Sequence, residues 1–243
     1  MGWLSKLFGS DGGGRSAKPE NFEQWFEQYA ALGFERQQQF AEETADAGEA
    51  EVDLGRGRLR FADGSEYGVQ LIGSLAHTSD TWLWGWANQT VGSDSPFVQQ
   101  SARLRQLGEK FVLPFFCMDK NPYSGDQMHR LGLFAVGLFG ALGYHPLNLG
   151  DFTLLLNVGY NQDPGAHPNP ATEQKRLASA FSQLIADYPV YDQLHALECY
   201  LRAKGYQTAV RADAAGSLLE AQQGSLKLSA AFDSARRLIQ LTA

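Results

Sequence analysis

The sequence predicts an α+β fold: an antiparallel sheet flanked by helices, in a single compact domain over residues 20–243, with a flexible N-terminal arm and linker over 1–19. Three observations point there. Residues 50–88 alternate apolar and polar positions around Asp63-Gly64, a strong hairpin signal. Five segments read as helices, by apolar spacing, a continuous apolar run or start and stop signals. Residues 206–242 then alternate again. The chain has 243 residues, of which 44% are hydrophobic and 12% aromatic. That is enough to fill a core without disulfide staples, and Cys117 and Cys199 are too few for a disulfide scaffold.

The elements follow in order. Ser10–Pro19 is Gly-rich and reads as a linker. Asn21 can cap a helix, and Phe22, Trp25, Phe26, Tyr29, Leu32 and Phe40 form its apolar stripe, giving an amphipathic helix from about 20 to 46. Gly48 ends it. A four-stranded meander is predicted over 50–88. Its last strand, TWLWGWAN over 81–88, places Trp82, Trp84 and Trp86 at period two and so on one face, with Gly85 and Ala87 leaving room opposite. Pro96 opens a helix to about Gly108. Residues 111–118, FVLPFFCM, are apolar and interrupted by Pro114, so they read as extended or as a short strand. A buried helix follows over 126–142, a strand over 152–158, a Pro-rich loop over 162–170, and helices over 172–187 and 192–204. The tail divides into strands near 206–211, 217–222, 226–232 and 238–242. A helix over 229–241 is the competing reading, because Ala, Arg and Leu favour it.

Charge is concentrated. Residues 18–53 carry Lys18 and Arg36 against ten acids, a net −8 within a chain whose net charge is −7. A solvated helix face and a strip that steers a basic partner are both consistent with that pattern. It argues against nucleic-acid binding, which wants a basic patch. No stretch approaches the roughly 18 apolar residues of a spanning helix, and residues 1–14 lack a signal-peptide pattern, so no stable membrane insertion and a cytoplasmic location are expected. Trp3, Leu4, Leu7 and Phe8 share one helical face, which suits a transient membrane contact, a short docking helix or a frayed end.

The chemistry-bearing residues form no recognised motif. None of the five histidines lies in a zinc pattern. His195 and Cys199, four apart on a predicted helix, are at most half a metal site or a nucleophile pair. Gly12–Gly14 lacks the Lys-Ser/Thr ending of a phosphate loop, and no GxSxG is present. Asp151, Asn157, Asn161, Asp163 and His167 sit close in sequence, mostly in loops. They carry the alternative reading, a small-molecule or hydrolytic enzyme using the loops over 151–167. No catalytic residue, metal or cofactor is assigned.

The strand TWLWGWAN, followed by Ala102-Arg103-Leu104-Arg105-Gln106-Leu107-Gly108, resembles an uncharacterised bacterial family with a Trp-Leu-Trp-x-Trp-Ala-Asn strand and an Ala-x-Leu-Arg-x-Leu-Gly helix. The likeness covers roughly 20–160 and carries no activity. In size, acidity and lack of a catalytic signature the chain also looks like immunity proteins encoded beside bacterial type VI secretion toxins. That resemblance implies a protein that binds a cognate toxin, such as a basic nuclease effector, and blocks it sterically. The expected contacts are Glu23, Glu27, Glu35, Glu42, Glu43 and Asp46 on the acidic helix, with Trp82, Trp84 and Trp86 as aromatic anchors.

Overall fold

A computed structural model describes residues 21–159, 170–212 and 216–242. The predicted arm over 1–19 and most of the predicted loop over 162–170 lie outside them. Helix α1 (Phe22–Glu43) is capped by Asn21, whose Oδ1 accepts the Gln24 N–H. It is shorter than the expected 20–46, because the chain leaves helical geometry at Thr44 (φ −102°, ψ 9°) and turns, the Ala47 N–H bonding the Thr44 carbonyl. Four strands follow: β1 (Ala50–Asp53), β2 (Arg58–Phe61), β3 (Glu66–Ala76) and β4 (Thr81–Trp84). They pair antiparallel in sequence order, as the meander reading requires.

Strand β3 organises this sheet. It pairs β2 through Glu66–Gly68, β4 through Gly73–Ala76, and β7 (Phe152–Val158) through Val69–Ala76, with a bulge between Leu71 and Gly73. A bulge bends and twists the bulged strand, so both faces of β3 are covered along its middle. Strands β5 (Lys120–Pro122), on β4, and β6 (Gly143–Asn148), on β7, extend the sheet to seven strands. Sequence patterning missed both: β5 is too short to alternate, and Pro146 reads as a breaker inside β6.

Between strands lie α2 (Gln99–Phe111), the short α3 (Pro114–Cys117) and α4 (Gly125–Phe139). The expected extended segment over 111–118 is therefore corrected. Pro114 stands at the first turn of a helix, where a missing N–H costs nothing. Helix α4 opens with a Ser124–Gln127 capping box and closes on Gly140 at φ +69°. Helices α5 (Pro170–Asp187) and α6 (Gln193–Ala203) lead to a second, four-stranded antiparallel sheet: β8 (Gln207–Ala212), β9 (Ser217–Gln223), β10 (Leu226–Phe232) and β11 (Leu238–Thr242). The strand reading of the tail holds, and the helix over 229–241 does not form.

Helix α1 is the centre of the molecule. On one flank it crosses α4 at two glycines: a Cβ on Gly33 would sit 1.9 Å from the Leu133 carbonyl oxygen, and one on Gly137 2.0 Å from that of Tyr29. On the other flank it meets α5 and α6. The larger core cluster runs from Trp25 and Phe26 through Phe134 and Leu155 to Leu197 and Phe232. A smaller one, around Leu59, Phe61, Val69 and Leu156, fills the bend of the first sheet beneath Phe40 and Val98. The architecture is α+β in one compact domain.

Candidate functional site

The acids predicted to face a partner lie on α1, and the structure sends several of them inward. Glu27 is 5% exposed, and its Oε1 accepts the backbone N–H groups of Tyr191 (2.7 Å) and Asp192 (3.0 Å), just before α6. Glu35 is 1% exposed, with both oxygens 3.1 Å from Lys204 Nζ at the end of α6. Lys204 also pairs Glu173 of α5. Burial first, and then the Glu35 carboxylate, push the neighbouring Tyr200 phenol well above its ordinary value. Glu23 pairs Arg130 of α4, and Glu43 accepts the Tyr67 hydroxyl at 2.8 Å. Glu42 is exposed and stands 3.8 Å from Arg176, a surface pair that contributes little. Asp46 is exposed beyond the helix end. Glu27 and Glu35 are corrected as contact residues: they hold the C-terminal half onto α1.

The tryptophans are also interior. Trp82 and Trp84 share the core face of β4, edge to face at 5.5 Å and 86°. The Trp84 indole donates to the Phe115 carbonyl at 3.0 Å. The strand stops at Trp84, and residues 85–87 form a 3₁₀ turn, not the predicted continuation. The cause is a close approach: a Cβ on Gly85 would lie 2.4 Å from the Leu71 carbonyl oxygen. Trp86, 7% exposed, comes off that turn beneath the Arg105 guanidinium, 4.5 Å from the ring centre. All three serve as core, and the expectation that they anchor a partner is corrected by their burial.

Among the described residues the candidate chemistry does not assemble. His195 and Cys199 do meet, Nε2 to Sγ at 3.5 Å. Burial pushes the Cys199 thiol up to about 12, so the nucleophilic thiolate is scarce near neutrality. Among the described residues no three His, Cys, Asp or Glu side chains gather as metal ligands. Of the proposed loop constellation, Asn161, Asp163 and His167 lie outside the described residues. Asn157 is fully buried, donating to Gln100 Oε1 (2.8 Å) and the Ala135 carbonyl (3.3 Å). The Asp151 carbonyl accepts the His77 N–H in the β6–β7 hairpin. These two residues serve structure.

The surface that sequence reasoning missed is the C-terminal sheet. One face packs on the core through Leu219, Ala221, Leu228, Ala230 and Phe232. The register places Gln207, Ala209 and Arg211 of β8, Leu218, Glu220 and Gln222 of β9, Lys227, Ser229 and Ala231 of β10, and Gln240 and Thr242 of β11 on the opposite face. It is exposed along β8 and β9, and Leu218 is 39% exposed there. Ile239, skipped by the register between Ala231 and Phe232, is 68% exposed. Among the described strands, β8 pairs only β9, and β11 only β10, and the Leu238 N–H of β11 donates to Gln193 Oε1 of α6 at 2.8 Å. The alternation in SLLEAQQ and LKLSAAF is the sequence signal of this two-sided sheet.

Residues 23–158 match the model of a family of unknown function, DUF6882, and the chain belongs to that family. No curated protein and no solved structure matches the chain. The matched region ends with β7, so α5, α6 and the C-terminal sheet lie beyond it. Among the described residues no helix is long and apolar enough to cross a membrane.

Proposed function

We propose that this member of the DUF6882 family is a non-catalytic binding protein that occludes a partner protein, a cognate bacterial toxin of the type VI class in the reading its size and acidity suggest. The observation that carries the binding role is the C-terminal sheet. Its outer face is spread with small and polar side chains around Leu218, and among the described residues neither of its edge strands, β8 and β11, pairs a further strand. Open edges invite pairing with another chain and are ordinarily blunted. An added strand gains main-chain hydrogen bonds while the flanking face supplies specificity. The exposed acids Glu42, Asp46 and Glu49 supply charge for steering a basic partner, which acts on the association rate more than on affinity.

The test is co-expression with the protein encoded beside it. The neighbour expressed alone should stop growth, and this chain should restore growth and form a stoichiometric complex with it. Leu218→Lys combined with Ile239→Lys should abolish the complex without lowering Tm. The pair Glu42→Lys and Asp46→Lys should slow association at low salt and leave dissociation nearly unchanged. A harmless neighbour that forms no complex would sink the toxin reading. A complex indifferent to Leu218 and Ile239 would remove the sheet as its seat.

A further inference from the structure

A second feature lies at the opposite end of the chain, where α1 begins. Asn21, Phe22 and the run Val112–Phe116 enclose an apolar notch of about 220 Å³. An apolar cavity of about 150 Å³ already holds a benzene ring, so this one accommodates an indole or phenyl side chain. Its rim carries an unusual residue. Val112 closes α2 at φ +57°, a left-handed conformation that a β-branched side chain adopts only under strain, and it is 81% exposed. The side chain of Asn21 is already engaged in capping α1, so the notch offers little to a polar ligand.

We propose that the notch is the seat of the chain's own residues Trp3, Leu4, Leu7 and Phe8. The described fold begins at Asn21, in the wall of the notch itself, so residues 1–20 enter the molecule there. Residues 9–20, rich in Gly and Ser, separate Phe8 from that wall. Twelve residues span at most about 40 Å when fully extended, so the connection is long enough to bring Phe8 back to the notch. Trp3 or Phe8 then fills the notch, Leu4 or Leu7 covers Val112, and apolar surface on both partners leaves water together. This goes beyond the toxin-binding reading and does not depend on it.

The tryptophans make the proposal measurable. The chain has five, and Trp25, Trp82, Trp84 and Trp86 are core residues, at most 7% exposed. The full-length protein is labelled with 5-fluorotryptophan, and Trp3→Phe assigns the fifth ¹⁹F signal. The expected result is a Trp3 signal as protected from a soluble paramagnet as the four core signals, independent of protein concentration. Val112→Glu should abolish that protection. If Val112→Glu disturbs the core signals, Leu4→Glu with Leu7→Glu gives the same readout from the arm side. A Trp3 signal as accessible as the free amino acid overturns the proposal. So does protection that rises with protein concentration, which assigns the notch to a second copy. Protection appearing only with phosphatidylcholine–phosphatidylglycerol vesicles assigns the segment to a lipid surface and equally overturns it.

Discussion

Replacing Lys204 by Met removes the cation that holds Glu35 inside the protein. The Glu35 side chain is 1% exposed, and both its oxygens lie 3.1 Å from Nζ, so the variant leaves a carboxylate with neither water nor counter-ion. Breaking a buried pair from one side costs about 3–5 kcal/mol. In a chain of this size each kcal/mol moves Tm by about 2–4 °C, so K204M should melt about 6–20 °C lower. Glu173 loses the same partner but keeps 20% of its side chain exposed, and it adds little to the loss. Adding Glu35→Gln to K204M takes the buried charge away and should recover much of the loss, which thermal unfolding followed by circular dichroism reads directly. Glu42→Lys, on the exposed part of the same helix, should stay within about 0.5 kcal/mol. A K204M melt within about 2 °C of the wild type refutes the reasoning, because the acids of α1 would then face water, as a steering strip requires.

Gly137→Ala should lose stability even though alanine favours a helix by about 1 kcal/mol. Its Cβ would meet the Tyr29 carbonyl oxygen at 2.0 Å, a backbone obstacle that only separation of the helices relieves, at about 1–3 kcal/mol or more. A higher urea midpoint for this variant would show that the crossing is looser than it stands. Burial lowers the His145 value, so its contribution is present above the unfolded value of about 6.5 and is lost as pH falls through the folded value. His145→Gln should flatten the acid limb of a stability–pH curve, and an unchanged limb rules the residue out. Cys199, half-buried and with its thiol pushed up to about 12, should react slowly with a disulfide reagent at pH 8 until urea unfolds the chain, whereas rapid labelling of Cys199 in the native protein would contradict the raised thiol.

The fold was legible where local patterning and tertiary demand agree. The Asp63-Gly64 turn, the alternation of Leu226–Phe232 and the Asn21 cap each act over a few residues, and all three read correctly. Patterning failed where a distant backbone decides. Period two carries the strand on to Trp86, but the packing of Gly85 on the Leu71 carbonyl turns the chain after Trp84. Pro114 reads as an interruption and instead starts a helix. The candidate site was less legible, because a charge count does not say which flank of a helix faces inward. Glu27 and Glu35 are two turns apart on one flank, and their partners lie 164 to 169 residues away. No window of sequence joins Glu35 to Lys204. The outer face of the last sheet was visible as alternation, but its edge strands emerge only from strand order.

The two-sided burial of α1 sets a timetable for synthesis. The ribosome delivers α1, α4 and the first sheet before the residues that satisfy Glu27 and Glu35. At about 5–20 residues per second, residues 159–204 take about 2–9 s to follow. During that interval the Gly33–Gly137 crossing is available, but the other flank of α1 carries two carboxylates and a row of apolar side chains still awaiting α5 and α6. That flank closes when Tyr191, Asp192 and Lys204 arrive, and the core is filled when the C-terminal sheet follows them. A ribosome stalled soon after residue 158 should hold a chain that binds chaperones and is cut readily by proteases, and the full-length chain, once released with its C-terminal sheet, should not.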